Sequence, residues 1–194
     1  IDLTPLAVEG AGVAHVTVAS QGDPSLVSSR EFRVVTTGVE VLLVDGDVMR
    51  PAMFARYGLE SQRGLMDMLA DPSIDLMDVE LQTNVPKLSL LPAGSATADP
   101  TELIASKAMG QLLDGLAASN PNRIVIFDAP PLLVTTAARV LAARVGQVVV
   151  VVAADETPRQ DVEKAFETVE ECPIVLSVLN RSTAPGNSNA FGYY

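Results

Sequence analysis

Five short aliphatic runs, each stopping at a turn or a polar residue, constrain this chain more than any other feature of its sequence. Residues 39–44 are apolar apart from Glu40 and stop at Asp45-Gly46-Asp47. Residues 87–91 close on Pro92-Ala93-Gly94, and residues 123–127 on Asp128-Ala129-Pro130-Pro131. Residues 147–153 run into Asp155, and residues 174–179 into Asn180. Apolar residues at successive rather than alternate positions predict strands covered on both faces, as in a parallel sheet. Helical patterns lie between them. Residues 100–116 place Leu103, Ile104, Met109, Leu112, Leu113 and Leu116 on one stripe. Residues 135–144 are alanine-rich, and residues 158–171 open with a proline suited to a first helical turn. The Met- and Leu-rich residues 49–78 predict one or two short helices over the sheet edge. This alternation predicts a three-layer α/β fold with a mostly parallel sheet and right-handed crossovers.

Composition narrows the class. Apolar residues are 48% and charged ones 19% of 194, a globular composition of single-domain size. Aromatics are 4% with no Trp, so the core must be aliphatic. Thirteen Lys and Arg against 24 Asp and Glu give a net charge of −11, which argues against a sequence-independent nucleic-acid binder. Cys172 is the one cysteine, so no internal disulfide forms, and a small buried hydrophobe is the expected role. The longest apolar run, residues 148–154, is strand-sized rather than membrane-sized. With no basic segment at the start, the chain reads as cytosolic with no membrane span of its own. His15, the single histidine, reads as a strand or linker residue rather than a base.

In an open parallel sheet, ligands bind beyond the carboxyl ends of the strands. Asp45, Asp47, Asp128 and Asn180 are all expected at such ends, so polar groups from separate segments converge on one rim. Two carboxylates two residues apart can point at one Mg²⁺ or at one of its waters; the same Asp-Gly-Asp also suits a solvated turn. Asp128, after four apolar residues and before two prolines, is presented as a Walker B carboxylate is, or caps the next helix.

Taken in order, these stretches resemble the bacterial tyrosine autokinases of capsule and exopolysaccharide synthesis, relatives of the MinD and ParA ATPases. Asp45-Gly46-Asp47-Val48-Met49-Arg50-Pro51 resembles their Walker A′ motif, and Asp128-Ala129-Pro130-Pro131 the end of their Walker B. Leu91-Pro92-Ala93-Gly94 and Pro100-Thr101-Glu102-Leu103-Ile104 are similar to two further family segments. Thr83-Asn84-Val85-Pro86-Lys87 is worded as in the branch linked to exosortase and PEP-CTERM gene clusters. The resemblance implies a P-loop NTPase-like domain that uses ATP and Mg²⁺ and phosphorylates tyrosines on a neighbouring subunit. Asp45, Asp47 and Arg50 would be catalytic, and Asp45, Asp47 and Asp128 would serve the metal. Asn180 and Asp128 would hold the nucleotide, with Asn180 at the adenine, and Tyr193 and Tyr194 would be autophosphorylation sites. The implied partner is a membrane polysaccharide co-polymerase, or chain-length determinant, in a homo-oligomer at the inner face of the membrane.

One family part has no counterpart. The sequence contains no Gly-x-x-x-x-Gly-Lys-Ser/Thr string, whose amides cradle phosphates and whose lysine meets their charge. Residues 15–25 offer one glycine, no lysine, and an Asp and a Pro where phosphate would sit. A better alignment makes residues 28–35 the helix that precedes the P-loop strand, with Arg33 in register and strand and helix missing between about Val35 and Gly38. A natural deletion and a chain joining two pieces around an omitted segment both remain open. On this division residues 1–38 precede the missing P-loop, residues 39–180 form the nucleotide-binding domain and residues 181–194 a flexible tail. The competing functional readings are a pseudokinase or binding module without ATP, and a MinD- or ParA-like ATPase.

Overall fold

The computed structural model describes residues 39–50, 62–95 and 99–182 in full, and the backbone of two further strands. Those strands, β1 (Val13–Ala19) and β2 (Val27–Arg33), pair antiparallel with each other. The rest alternates as the aliphatic runs require: β3 (Glu40–Asp45), α1 (Leu65–Ala70), α2 (Leu76–Val79), β4 (Leu81–Gln82), β5 (Leu88–Leu91), α3 (Pro100–Ala105), α4 (Lys107–Ser119), β6 (Arg123–Asp128), α5 (Thr136–Ala142), β7 (Gln147–Ala153), α6 (Arg159–Glu167) and β8 (Ile174–Asn180).

β3 is flanked by parallel neighbours, β5 on one side and β6 on the other, and β4 adds an antiparallel edge beyond β5. β7 and β8 form a second parallel sheet. Among the described residues β6 pairs only with β3, and β7 only with β8, so each keeps one unpaired edge. The β3–β6 register is pinned at the amino end. There the Glu40 amide donates to the Asn122 carbonyl at 2.9 Å, and Asn120 Nδ2 donates to Glu40 Oε2 at 2.7 Å. Arg123, largely buried, pairs with Glu80 at 3.2 Å, which ties β6 to the end of α2.

The core is aliphatic, as the composition demands. Leu42, Val44, Leu65, Met66, Leu91, Ile104, Met109 and Leu141 form the larger cluster, against one face of β3 and β6. Ala142, Val150, Ala165 and Val169 form a smaller one under β7 and β8. α5 contributes to both through Leu141 and Ala142 and so spans the two sheets. Cys172 is buried, its thiol 3.4 Å from the Ile174 carbonyl.

Three expectations are corrected. The stripe over residues 100–116 is not one helix: Ser106 interrupts it, donating its hydroxyl to the Leu103 carbonyl and capping α4 by accepting the Met109 amide. Residues 27–33 are a strand, not the helix expected over residues 28–35, since Val27 and Phe32 suit a strand paired with the β-branched Val13, Val16, Thr17 and Val18. Nor are all strands covered on both faces. Val125, Phe127, Val148 and Val152 pack inward, while the alternating Ile124, Ile126, Val149 and Val151 stand exposed, because the described helices pack against only one face there. The short β4 had no signal in the aliphatic pattern. The expected junction at residues 35–38 and Tyr193 and Tyr194 lie outside the described residues.

Two glycines separate close approach from mere flexibility. A Cβ on Gly64 would stand 1.9 Å from the Pro92 carbonyl oxygen, whereas nothing lies within 4 Å of one on Gly115. Gly64→Ala is expected to destabilise the fold by about 2–4 kcal/mol. Gly115→Ala, inside α4, should stabilise it by about 0.5–1 kcal/mol. Urea denaturation followed by circular dichroism measures both.

Candidate functional site

The parallel register of β3 and β6 ends by placing Asp45 directly beside Asp128. Strand alternation puts Asp45 on the face of Val41 and Leu43, and Asp128 on the face of Ile124 and Ile126, so both carboxylates leave the sheet on the same side. The chain then turns tightly. The Gly46 amide donates to the Asp128 carbonyl at 2.8 Å, and a Cβ at position 46 would come within 3.0 Å of that oxygen. Glycine lets the two strand ends approach this closely. The turn folds Asp47 back on the pair: its amide donates to Asp45 Oδ1 at 3.2 Å, and its own Oδ1 accepts the Arg50 amide at 3.1 Å.

Electrostatics follow from this crowding. Asp45 is buried, and burial first, then the charge of Asp128, pushes its carboxyl up to about 7. Burial and the charge of Asp47 push Asp128 up to about 6. Asp47 is raised by burial too, against the amides of Arg50 and Met49 and the Arg50 guanidinium, which hold it down. Three carboxylates that repel one another in a partly dry rim are a place where a divalent cation would be favoured. Among the described residues no group of three His, Cys, Asp or Glu is arranged to hold an ion directly. One or two carboxylates is the complement Mg²⁺ takes when it keeps most of its water, so the donor set fits that ion.

Arg50 sits beside this group on the exposed turn after β3. Asn180 is at the carboxyl end of β8, in the other sheet. Its carbonyl accepts the Ala154 amide at 2.8 Å, and its Oδ1 accepts the Arg181 amide at 2.9 Å. The structure thus brings Asp45, Asp47 and Asp128 together, with Arg50 adjacent. Asn180 stands at the end of a strand belonging to the second sheet.

Sequence reasoning missed Asp67. From the first turn of α1, its Oδ2 accepts the Gly64 amide at 2.8 Å and the Ser95 amide at 3.1 Å. With Leu65 and Met66 donating to the carbonyls of Pro92 and Ala93, it fastens the loop after β5 to the helix. Gly94, at φ +80°, takes a left-handed conformation in that loop. The available signal was an acid at the third helical position after Gly64, half of a capping box.

Comparison with known proteins agrees with this architecture. The chain is 28% identical to a putative tyrosine-protein kinase, CapB of Staphylococcus aureus, over 91% of its own length and 77% of that protein. It is 29% identical to the tyrosine-protein kinase YwqD of Bacillus subtilis, over 92% and 76%. Against a putative tyrosine-protein kinase, EpsB of Ralstonia nicotianae, it is again 29% identical but spans only 22% of that longer protein. Among solved structures it resembles the VpsO kinase domain, at TM-score 0.67 and 29% identity over 74% of this chain and 70% of that one. It also resembles the chimerical protein CapA2B2, at TM-score 0.62 and 30% identity over 72% and 63%. No protein-family model matches.

The raised carboxyls set the sign of a pH effect. A carboxyl whose folded pKa exceeds its unfolded value contributes stability that is complete below pH ~4 and lost as pH rises through the folded value. For Asp45 and Asp128 that loss spans pH 4 to about 7. Asp45→Asn is expected to stabilise the fold by on the order of 2 kcal/mol at pH 8 and by little at pH 4. Thermal melts at the two pH values check this. Millimolar Mg²⁺ should raise the wild-type melting temperature at pH 8 and leave that of Asp128→Asn unmoved.

Proposed function

We propose that this chain, similar over most of its length to bacterial tyrosine-protein kinases, is a protein-tyrosine kinase of capsule or exopolysaccharide synthesis, moving phosphate from Mg-ATP to tyrosine hydroxyls. The observation that carries this reading is the pairing of Asp45 with Asp128 at adjoining strand ends. Asp45, Asp47 and Asp128 would hold the hydrated Mg²⁺, whose charge, when bound, offsets that of the transferring phosphoryl group. Asp45 is the carboxylate placed to orient and deprotonate the attacking hydroxyl, and Arg50 the adjoining cation. Asn180 takes the adenine side of the nucleotide. Residues 39–180 are the catalytic domain, and Tyr193 and Tyr194 in the tail are the acceptors.

The phosphate cradle is the part this sequence does not supply. No Gly-x-x-x-x-Gly-Lys-Ser/Thr string occurs, so no step is assigned to residues that would grip the triphosphate. The unpaired edges of β6 and β7 support placing the family's P-loop strand between them. Among the described residues no helix is long and apolar enough to cross a membrane. Membrane attachment through a polysaccharide co-polymerase, and a homo-oligomeric state, complete the proposal.

Mass spectrometry after incubation with Mg-ATP tests it. Phosphate is expected on Tyr193 or Tyr194, reduced at least 100-fold by Asp45→Asn or Asp128→Asn. An intact chain that acquires no phosphate and shows no calorimetric binding of Mg-ATP would instead identify a pseudokinase.

A further inference from the structure

The turns that follow β7 and β8 are braced more heavily than surface turns require. Asp155 stands at φ +60° and Arg181 at φ +59°, two non-glycine residues in the left-handed region. Asp takes that conformation readily, whereas a long side chain such as Arg keeps it only where its surroundings hold it there. Here Arg181 Nη1 donates to both carboxylate oxygens of Glu156, at 3.0 and 2.7 Å, and the arginine side chain is only 11% exposed. The Ala154 amide donates to the Asn180 carbonyl at 2.8 Å, and the Ala153 amide to Thr157 Oγ1 at 3.2 Å. Asn180 stands beside Ala153 where the second turn begins, at the end of a parallel pair beyond which ligands bind.

The brace fixes which half of the Asn180 amide is offered. Its Oδ1 accepts the Arg181 amide at 2.9 Å. Only the oxygen of a carboxamide accepts, so oxygen and nitrogen are told apart by this bond. A planar amide with its oxygen turned to its own backbone turns its NH₂ the other way. An asparagine with both groups free reads adenine on two atoms, accepting from the N6 amine and donating to N7. We infer that Asn180, with its oxygen held by Arg181, reads only the N7 acceptor common to adenine and guanine, so that the base site takes purines without separating them. Arg181 and Glu156 are the positioning residues: Glu156 holds Arg181 in its left-handed turn, and that turn brings the Arg181 amide to Oδ1. This rests on the placing of the base at Asn180 proposed above, to which the turn adds the choice of base atom.

Nuclear magnetic resonance of the isotope-labelled full chain, titrated with adenosine, guanosine and 7-deazaadenosine, tests this without calling on a phosphate grip. Adenosine and guanosine are expected to shift the Asn180 side-chain amide with dissociation constants within about threefold of each other. The 7-deaza analogue, which lacks the N7 acceptor, should bind about tenfold more weakly. Glu156→Gln should weaken adenosine about tenfold and bring it level with that analogue, a change of ratio that lost stability alone does not produce. Arg181→Gly, which keeps the left-handed backbone but not the ion pair, should do the same, and replaces the first variant should that one lose its circular-dichroism signal. Adenosine favoured about tenfold over guanosine, or binding no better than its 7-deaza analogue, overturns the inference and leaves the kinase reading standing. An Asn180 amide that no nucleoside moves overturns it whatever the phosphorylation assay shows. The expected shifts in a chain that acquires no phosphate count against the kinase reading alone.

Discussion

Two carboxylates held side by side at the ends of adjacent parallel strands set the terms for everything near the site. Parallel pairing repeats at a fixed spacing, so once Glu40 stands beside Arg123 at one end, Asp45 must stand beside Asp128 at the other. The ion pairs and hydrogen bonds of Glu40, Asn120, Arg123 and Glu80, some five residues from the rim, therefore determine how close two negative charges come. The fold accepts this repulsion and partial dehydration and shows it as carboxyls that hold their protons to near neutrality. Such a place is costly without a cation and well suited to one.

The loops at the rim are built to keep that place rigid. Gly46 allows backbone contact between the ends of β3 and β6, and Gly64 and Gly94 allow the same between α1 and the loop after β5. Asp67 uses one carboxylate oxygen to satisfy two amides, one three residues before it in Gly64 and one 28 residues after it in Ser95. Beside the second sheet, the Arg181 guanidinium lies 2.7 Å from Glu156, so the turns that follow β7 and β8 are tied in the same manner. Backbone groups left over at strand ends are thus met by side chains rather than left to solvent, and the acidic residues keep defined positions.

Much of this was legible in the residues. The five aliphatic runs became strands within a residue or two at each end, because an uninterrupted apolar run has no other place in a small α/β domain. Asp45 and Asp128 stood out because a charged residue closing such a run lands at the sheet's rim. Ser106 was not recognised as a cap, since a serine in an amphipathic stripe reads equally well as an exposed helical position until its hydroxyl finds the Met109 amide. Asp67 was passed over because its two partners, Gly64 and Ser95, meet only after the chain has folded. The covering of the strands was misjudged for a related reason. Val149 and Val150 are chemically identical, and the sequence carries no mark of which one a helix will cover.

By itself, then, the order of aliphatic runs, turns and acids determined a mostly parallel α/β sheet with acidic strand ends, since these depend on local pattern and on distances along one strand. The three-dimensional arrangement decided that Asp45 and Asp128 are neighbours, that their protons are held more tightly, and that one face of β6, β7 and β8 stays open. Each of those depends on which segments pack together and how much water they exclude. That is a property of the assembled layers, and no stretch of chain encodes it alone.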